Sequence, residues 1–150
     1  MNTDKQYMEL AIKEAKKALG IGEVPIGAIV IYNGEIVGRG YNLKEELQDP
    51  TAHAEMIAIR EAAQNLGSWR LPDCELYVTL EPCPMCIGAM IQARIKRLVY
   101  GAADEKGGAT GSLYNLADDE RFNHQIEVKS GVLAEESSQM LKEFFRSLRT

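Results

Sequence analysis

Features that direct a chain to a membrane, to secretion or to a disulfide-rich fold are scarce in this sequence. No apolar run approaches the ~20 residues that a transmembrane helix needs. The N-terminal segment, Met1 to Lys5, is polar and lacks the apolar core of a signal peptide. The chain has 3 cysteines, an odd number that argues against a disulfide framework and favours a reducing compartment. We therefore expect a cytoplasmic protein with no membrane association.

An excess of positive charge is also missing. The 150 residues include 22 acidic and 17 basic side chains, a net charge of −5, whereas phosphate binding usually favours a basic face. A local basic strip is compatible with this balance. The residues available for it are Arg94, Lys96, Arg97, Lys106, Lys142, Arg146 and Arg149. With 45% hydrophobic and 26% charged residues, the chain is expected to fold as one globular domain, residues 1–150.

Two short clusters, one around His53 and one around Cys83 and Cys86, are the most specific feature of the chain. A catalytic zinc ion takes three protein ligands and leaves a fourth position for water, and these three side chains meet that number. Pro84 suits the first position of a helix, so both sulfurs are expected in one first helical turn. The partial positive charge at a helix start favours the thiolate form that binds metal. The sequence thus predicts one Zn²⁺ per subunit.

A second helix is expected to begin near the histidine. Asp49 followed by Pro50 is typical of an N-cap and a first helical position, and the helix would run to about Leu66. Glu55 lies two residues beyond His53, which is ~200° around a helix, so it does not extend the ligand row. We interpret Glu55 as the catalytic carboxylate that takes a proton from zinc-activated water and delivers it to the leaving group.

Each of these motifs alone also fits a simpler interpretation. A Cys-x-x-Cys pair alone would also suit a thioredoxin-like redox dithiol. A structural zinc site would normally take a fourth protein ligand. Cys74 has no partner spacing and is interpreted as a small buried hydrophobic residue, and His124 is interpreted as a hydrogen-bonded loop residue. The combination of His53, Glu55 and the two cysteines favours a catalytic zinc site.

The remaining patterns predict alternating strands and helices, which is typical of a layered α/β domain. Thr3 and Gln6 form a capping box for a helix that stops at Gly20, and Asn33-Gly34 suits the turn of a β-hairpin. The predicted strands are Ile26–Tyr32, Glu35–Tyr41, Glu75–Leu80, Arg97–Ala102 and Gln125–Ser130, and the later helices are Pro50–Leu66, Pro84–Ala93 and Glu135–Arg149. The stretch 103–124, with a short helix expected at Ser112–Leu116, is long enough for a parallel crossover between the last two strands.

The motif formed by His53, Glu55, Pro82, Cys83 and Cys86 resembles the signature of the zinc-dependent nucleoside and nucleobase deaminases. Small cytidine deaminases tend to join the last two strands by a hairpin, whereas tRNA adenosine deaminases have the crossover. Nearly the whole chain is similar to the bacterial tRNA wobble-adenosine deaminases. The matching segments are Glu23–Ala28, Gly40–Asn42, Asp49–Glu55, Trp69–Leu71, Leu76–Cys83, Tyr100–Ala102, Gly111–Leu113, Asn123–His124 and Phe144–Arg146.

This resemblance implies hydrolytic deamination of adenosine to inosine at the wobble position of a tRNA anticodon loop, by a homodimer. It also implies a cytidine-deaminase-like fold, a three-layer α/β/α sandwich around a mixed five-stranded sheet. Asn42 would hydrogen-bond the flipped nucleotide, with Ala54 backbone groups near the purine edge. Further implied contacts are pocket walls at Val24, Pro25, Ile26 and Leu80, and contacts to flanking nucleotides at Asp104, Lys106, Asn123, Phe145 and Arg149.

Three classes of function stay open on the sequence alone. The first is the tRNA-editing hydrolase, and the second is a deaminase of a free base or nucleoside such as guanine, cytosine or cytidine. The third is a non-catalytic zinc or redox protein that binds RNA. The segments around Asn42, 103–124 and the last helix separate the first two classes, because both share the zinc chemistry. Glu55 argues against the third, since a structural metal site has no use for it.

Overall fold

A computed structural model of the chain describes residues 3–148. Apart from one four-residue helix, its elements follow the order that the sequence patterns predicted. In chain order they are α1 (Asp4–Gly20), β1 (Gly27–Tyr32), β2 (Glu35–Tyr41), α2 (Lys44–Leu47), α3 (Ala54–Leu66), β3 (Glu75–Leu80), α4 (Pro84–Ala93), β4 (Arg97–Ala102), β5 (Glu127–Lys129) and α5 (Ala134–Leu148). No helix within this described range has the length and apolar character needed to cross a membrane.

The five strands form one mixed sheet in the order β2-β1-β3-β4-β5. The β1–β2 hairpin closes through Asn33 and Gly34, as predicted, and their φ angles of 50° and 77° are those of a type I′ turn. Strand β1 also pairs antiparallel with β3, and the last three strands run parallel. The parallel β4–β5 pairing confirms the crossover that was expected from the length of the 103–124 segment.

Helices cover both faces of the sheet, which confirms the three-layer α/β/α sandwich. Alternate strand residues point to opposite faces. On one face Ile29, Tyr77 and Val99 pack under α1 and α5, together with Met8 and Met140. On the other face the strands pack under α3 and α4, where Val30, Val78, Leu98, Ala58, Ile87 and Met90 are fully buried. Two apolar layers thus hold the sheet in the middle.

The start of α1 is fixed to the sheet by ionic hydrogen bonds. Arg97 donates two of them to Asp4, at 2.9 and 2.7 Å, and one to Glu75 at 2.9 Å. The hydroxyl of Tyr77 donates to the same Asp4 carboxylate at 2.6 Å. These bonds, that of Arg97 first, hold the pKa of Asp4 well below its usual range. Arg97 is therefore a structural residue and not part of a basic binding strip.

The predicted start of α3 was wrong, and its observed start affects the position of His53. Asp49 does not cap a helix, because its carboxylate accepts hydrogen bonds from both the amide and the hydroxyl of Thr51, at 2.8 and 2.7 Å. This bond to the residue two positions on makes a local turn instead. The helix begins at Ala54, and His53 is its N-cap residue.

Other boundaries differ in the loops. The short helix expected at Ser112–Leu116 does not form, because that segment makes a tight turn with an isolated bridge between Thr110 and Asn115. Strand β5 is limited to Glu127–Lys129, and the four-residue α2 was not predicted. These segments are short and have weak patterns of their own, so contacts elsewhere in the fold decide their conformation.

Gly40 explains how α3 comes close enough to the sheet to place His53. A Cβ atom at this position would lie 2.3 Å from the carbonyl oxygen of Ala54. Because glycine has no Cβ, the first turn of α3 rests directly on β2. The N-terminus of this helix is thereby held beside the ends of the central strands.

Candidate active site

The candidate site lies where the central parallel strands end. Strand β3 leads through Leu80 into Glu81 and the cysteine segment, and β4 leads through Ala102 into Asp104. The carboxyl ends of parallel strands meet at one edge of a sheet, where crevices in α/β folds form. The start of α3 reaches the same edge, so three segments that are distant in the chain converge there.

The three predicted metal ligands converge at this edge. His53 and Cys83 are the N-cap residues of α3 and α4, and neither side chain is used for capping. The Nδ1 atom of His53 lies 3.6 Å from the sulfur of Cys83 and 3.4 Å from the sulfur of Cys86. All three ligand atoms lie within 4.8 Å of one another. The cluster can therefore hold a metal ion between two helix starts, as the two motifs indicated.

Asn42 caps α3 in place of the N-cap residue His53. Its Oδ1 accepts a hydrogen bond from the backbone amide of Ala54 at 3.0 Å, the first amide of α3. This bond satisfies a donor that has no partner within the helix. The imidazole of His53 is thus free to face the two sulfurs.

The electrostatics of the cluster follow from burial and close packing. Glu55 is 4% exposed, and burial raises the pKa of its carboxyl group to about 7. Hydrogen bonding, from Cys86 first and also from His53, lowers the pKa of Cys83 to about 4. The bond to Cys83 in turn raises the pKa of His53. A thiolate at Cys83 is the form that ligates metals.

A cavity of about 260 Å³ opens in front of the cluster. It contains nine of the residues that the sequence singled out, drawn from six separate segments. They are Val24, Ile26, Asn42, His53, Glu55, Leu80, Cys83, Asp104 and Phe145. Lys44 and Glu81 complete the lining, and the sequence reasoning did not place either of them in a pocket. Lys44 lies on the unpredicted α2, which explains why it was missed.

The other predicted residues lie outside this cavity. Pro25, Ala54 and Cys86 are buried and do not line it. Lys106 and Asn123 are exposed. Arg149 falls outside the described residues. Cys74 is fully buried in the core under α3 and α4, and His124 bonds through its ring nitrogen to the carbonyl of Ile95, as expected.

Four of the basic residues considered for a binding strip separate into two groups. Arg97 is paired with acidic residues, and the guanidinium of Arg94 donates to the carbonyl oxygen of Ile91 at 2.7 Å. Lys142 and Arg146, by contrast, are exposed on α5 and line a groove with Phe145. Because Phe145 also borders the cavity, a basic strip on α5 begins at the cavity rim.

Comparison with known proteins agrees with this geometry. The model of the MafB19-like deaminase family matches residues 2–149. A tRNA-specific adenosine deaminase of Bacillus subtilis is 58% identical over 149 residues, which cover 99% of this chain and 92% of the relative. Both comparisons span the whole described structure, including all three candidate metal ligands.

Solved structures also match this chain. One, from a study of A-to-I editing by tRNA deaminases at the wobble position of transfer RNA, is 47% identical with a TM-score of 0.87 over 90% of this chain and 98% of that one. A mutant of the protein NE0047 in complex with 8-azaguanine has a TM-score of 0.82 at 23% identity, over 97% of this chain and 85% of that one, and so shares the fold. The chain therefore belongs to the MafB19-like deaminases and, among them, to the family of tRNA-specific adenosine deaminases.

Proposed function

We propose that this protein deaminates adenosine to inosine at the wobble position of a tRNA. The observation that carries the proposal is the buried carboxylate of Glu55 beside the cluster of His53, Cys83 and Cys86, at one cavity, in a chain of this family. The cavity, at about 260 Å³, is smaller than the ~300–1,000 Å³ of sites that enclose drug-sized ligands. A polynucleotide would thus have to flip a single base into it.

The metal in this proposal is one Zn²⁺ per subunit, held by His53, Cys83 and Cys86. Bonds of ~2.3 Å to sulfur and ~2.0 Å to nitrogen in a tetrahedral site place the two kinds of ligand atom ~3.5 Å apart. The nitrogen–sulfur distances of 3.4 and 3.6 Å agree with this geometry. When bound, zinc lowers the pKa of water and polarises the reacting group. Two thiolates and an imidazole favour zinc over harder ions.

Glu55 supplies the proton transfers of the reaction. Hydrolytic deamination adds the oxygen of water to the amine-bearing ring carbon and breaks the carbon–nitrogen bond. One group must take a proton from the water and deliver it to the departing amine, which leaves as ammonia. Glu55 lines the cavity and its pKa of about 7 suits both steps near neutral pH.

Asn42 orients the base. Its Oδ1 is occupied by the Ala54 amide, so the Nδ2 hydrogens are the part of the side chain left to donate to an acceptor on the purine. Ala54 then acts on the substrate through Asn42 and not through its own amide. Val24, Ile26 and Leu80 form the apolar walls of the cavity, and the buried Pro25 lies between the first two in the chain.

Replacing Asn42 with aspartate should separate these two functions of the side chain. The Asn42→Asp variant keeps an acceptor for the Ala54 amide but loses the donor, so kcat/KM should fall by ~10- to 100-fold, the range expected for one lost hydrogen bond. Its melting temperature should remain near that of the wild type, because the carboxylate still caps α3. Asn42→Ala should lower both quantities. Wild-type kcat/KM in the aspartate variant would exclude a donor function for Asn42.

The flanking nucleotides would lie along Asp104, Lys106 and α5. Phe145 at the cavity rim offers a surface for base stacking, which single-stranded RNA binding uses widely. Lys142 and Arg146 continue from it and supply positive charge for phosphates despite the net charge of −5. Asn123 and Arg149 are further contacts in this proposal.

The assembly and location of the protein belong to the same proposal. We expect the 150 residues to act as a single deaminase domain, and two copies to form a homodimer. A tRNA substrate and the cysteine content both favour the cytoplasm.

A parallel assay on RNA and small substrates tests the proposed function. The wild-type protein should convert the wobble adenosine of an anticodon stem-loop to inosine, and should release no ammonia from guanine, cytosine or cytidine. Nucleoside analysis of the digested RNA measures the first, and a coupled ammonia assay the second. Activity on a free base alone would support the alternative, a deaminase of small substrates. A stem-loop with guanosine at the wobble position is the matched control.

A further inference from the structure

One buried side chain, that of Glu81, accepts several hydrogen bonds from the segment that follows β4. Residues 103–112, here called the 103–112 loop, follow the end of β4, and Asp104 within this loop lines the cavity. Glu81 lies behind this loop, is 2% exposed and follows directly after β3. The reaction proposed above assigns no chemical step to this carboxylate, although burying one is costly unless it is well hydrogen-bonded.

The carboxylate of Glu81 accepts hydrogen bonds from both ends of the 103–112 loop. The backbone amides of Asp104, Thr110 and Ser112 donate to it at 3.0, 3.1 and 3.0 Å, and the hydroxyl of Ser112 also donates to it. Hydrogen bonds to an ionised acceptor are about twice as strong as neutral ones. One side chain, directly after β3, thus ties together the two ends of a loop that has no helix or strand of its own.

Gly108 shows how closely the loop wraps around this carboxylate. A Cβ atom at position 108 would lie 2.2 Å from the Cδ of Glu81 and 2.3 and 2.5 Å from its two oxygens. No side chain fits there unless the carboxylate moves. The space between the loop and β3 is therefore shaped for Glu81.

The contact between Glu81 and the 103–112 loop determines where Asp104 lies. Glu81 holds the Asp104 amide, and the Asp104 side chain accepts hydrogen bonds from the amides of Lys106 and Gly107, each at 3.1 Å. Asp104 lines the cavity together with Glu55. The position of Asp104 relative to the reacting groups thus depends on Glu81, through the hydrogen bond to the Asp104 amide.

We propose that Glu81 is a positioning residue for RNA recognition: it orders the 103–112 loop so that Asp104 and Lys106 meet the nucleotides beside the target base. This inference rests on the proposed function. It gives Glu81 a function different from that of the two cysteines that follow it, because the hydrogen bonds of Glu81 are made to the 103–112 loop. Loss of Glu81 should accordingly weaken RNA binding and leave the reacting groups in place.

The kinetic test uses an anticodon stem-loop and the metal-loaded protein. Glu81→Gln should raise KM by about tenfold, the effect of losing about one charged hydrogen bond, and change kcat by less than about twofold. Metal content should be unchanged. Gly108→Ala should give the same phenotype, because its methyl group displaces the carboxylate. In a Glu81→Ala background, Gly108→Ala should have no further effect, since the methyl group then has room.

Amide hydrogen exchange tests the tether without substrate. In Glu81→Gln the amides of Thr110 and Ser112 should exchange about tenfold faster or more, because their acceptor is weakened. The amide of Ala109 donates to the backbone carbonyl of Pro82 at 2.9 Å and should stay protected, as an internal control. Asp119→Asn is the matched variant, since Asp119 also accepts a backbone amide, from Arg121, in the connection between β4 and β5, but does not line the cavity.

The outcomes separate the two proposals. Faster exchange at Thr110 and Ser112 together with a raised KM, both absent in Asp119→Asn, supports the positioning function. Unchanged exchange, an unchanged KM, or a fall in kcat with loss of metal overturns it. Failure of the proposed function would appear in the wild-type protein, which would not deaminate the stem-loop, whereas failure of the Glu81 proposal appears only in the variants.

Discussion

Replacing Glu55 with alanine should abolish deamination and leave the metal in place. A positioned acid or base typically contributes ~10²- to 10⁴-fold to a rate, and here one carboxylate performs both proton transfers, so kcat should fall by at least ~10³-fold. The metal ligands are His53, Cys83 and Cys86 in our proposal, so the variant retains all of them. Single-turnover assays on the anticodon stem-loop measure the rate, and elemental analysis measures the metal.

The controls distinguish chemistry from folding. Glu55→Gln keeps the volume and should be nearly as inactive, and its melting temperature should not fall below that of the wild type, because a buried ionisable group is lost. Glu14→Ala is a matched replacement of another buried glutamate, 6% exposed and paired with Lys17 on α1 at 2.7 Å. It should affect stability only. Activity of Glu55→Gln within tenfold of the wild type would exclude the proton-transfer assignment.

The parts of the fold that the sequence predicted well have strong local signals. Strands β3 and β4 and helix α4 have the predicted boundaries, Glu75–Leu80, Arg97–Ala102 and Pro84–Ala93. Apolar runs marked the two buried strands, and Pro84 fixed the start of the helix because its ring suits the first helical position. The Asn33-Gly34 pair likewise marked the hairpin turn, since both residues tolerate a positive φ.

The parts that it predicted poorly depend on distant contacts. The start of α3 was misplaced because Asp49 and Pro50 have the local pattern of a helix start, whereas the cap comes from Asn42 on another segment. The 103–112 loop was expected to lead into a short helix, but its shape is dictated by the carboxylate of Glu81. A residue pattern within a loop does not indicate a partner that lies 20 or more residues away in the chain.

The same difference between local signals and distant contacts is found within the candidate site. Short motifs identified His53, Glu55 and the two cysteines, because metal chemistry requires fixed residue types at fixed spacing. In the structure His53 and the two cysteines form one cluster, and Glu55 lines the cavity in front of it. Lys44 and Glu81 line the cavity without any motif of their own. A glutamate directly before the Pro-Cys segment was visible in the sequence, but only the structure shows that it is buried and which amides it binds.

Replacing Cys86 with alanine should remove the metal and with it the activity. Cys86 is fully buried in the first turn of α4, and its sulfur is one of only three ligands in the proposed site. With two ligands left, the protein should lose stoichiometric metal on dialysis against a weak chelator. Turnover should fall by at least ~10³-fold, because metal activation of water supplies several kcal/mol of the rate enhancement. Elemental analysis and the stem-loop assay measure the two effects.

Cys74→Ala is the matched control, because it makes the same substitution at a fully buried cysteine outside the cluster. It should cost ~1 kcal/mol of folding free energy and retain metal and activity. Linkage adds a second measurement, because a ligand that binds the folded state stabilises it. A strong chelator should therefore lower the melting temperature of the wild type and of Cys74→Ala, but not that of Cys86→Ala. Full metal occupancy in Cys86→Ala would refute the three-ligand site, and a chelator-sensitive Cys86→Ala variant would place the stabilising metal elsewhere.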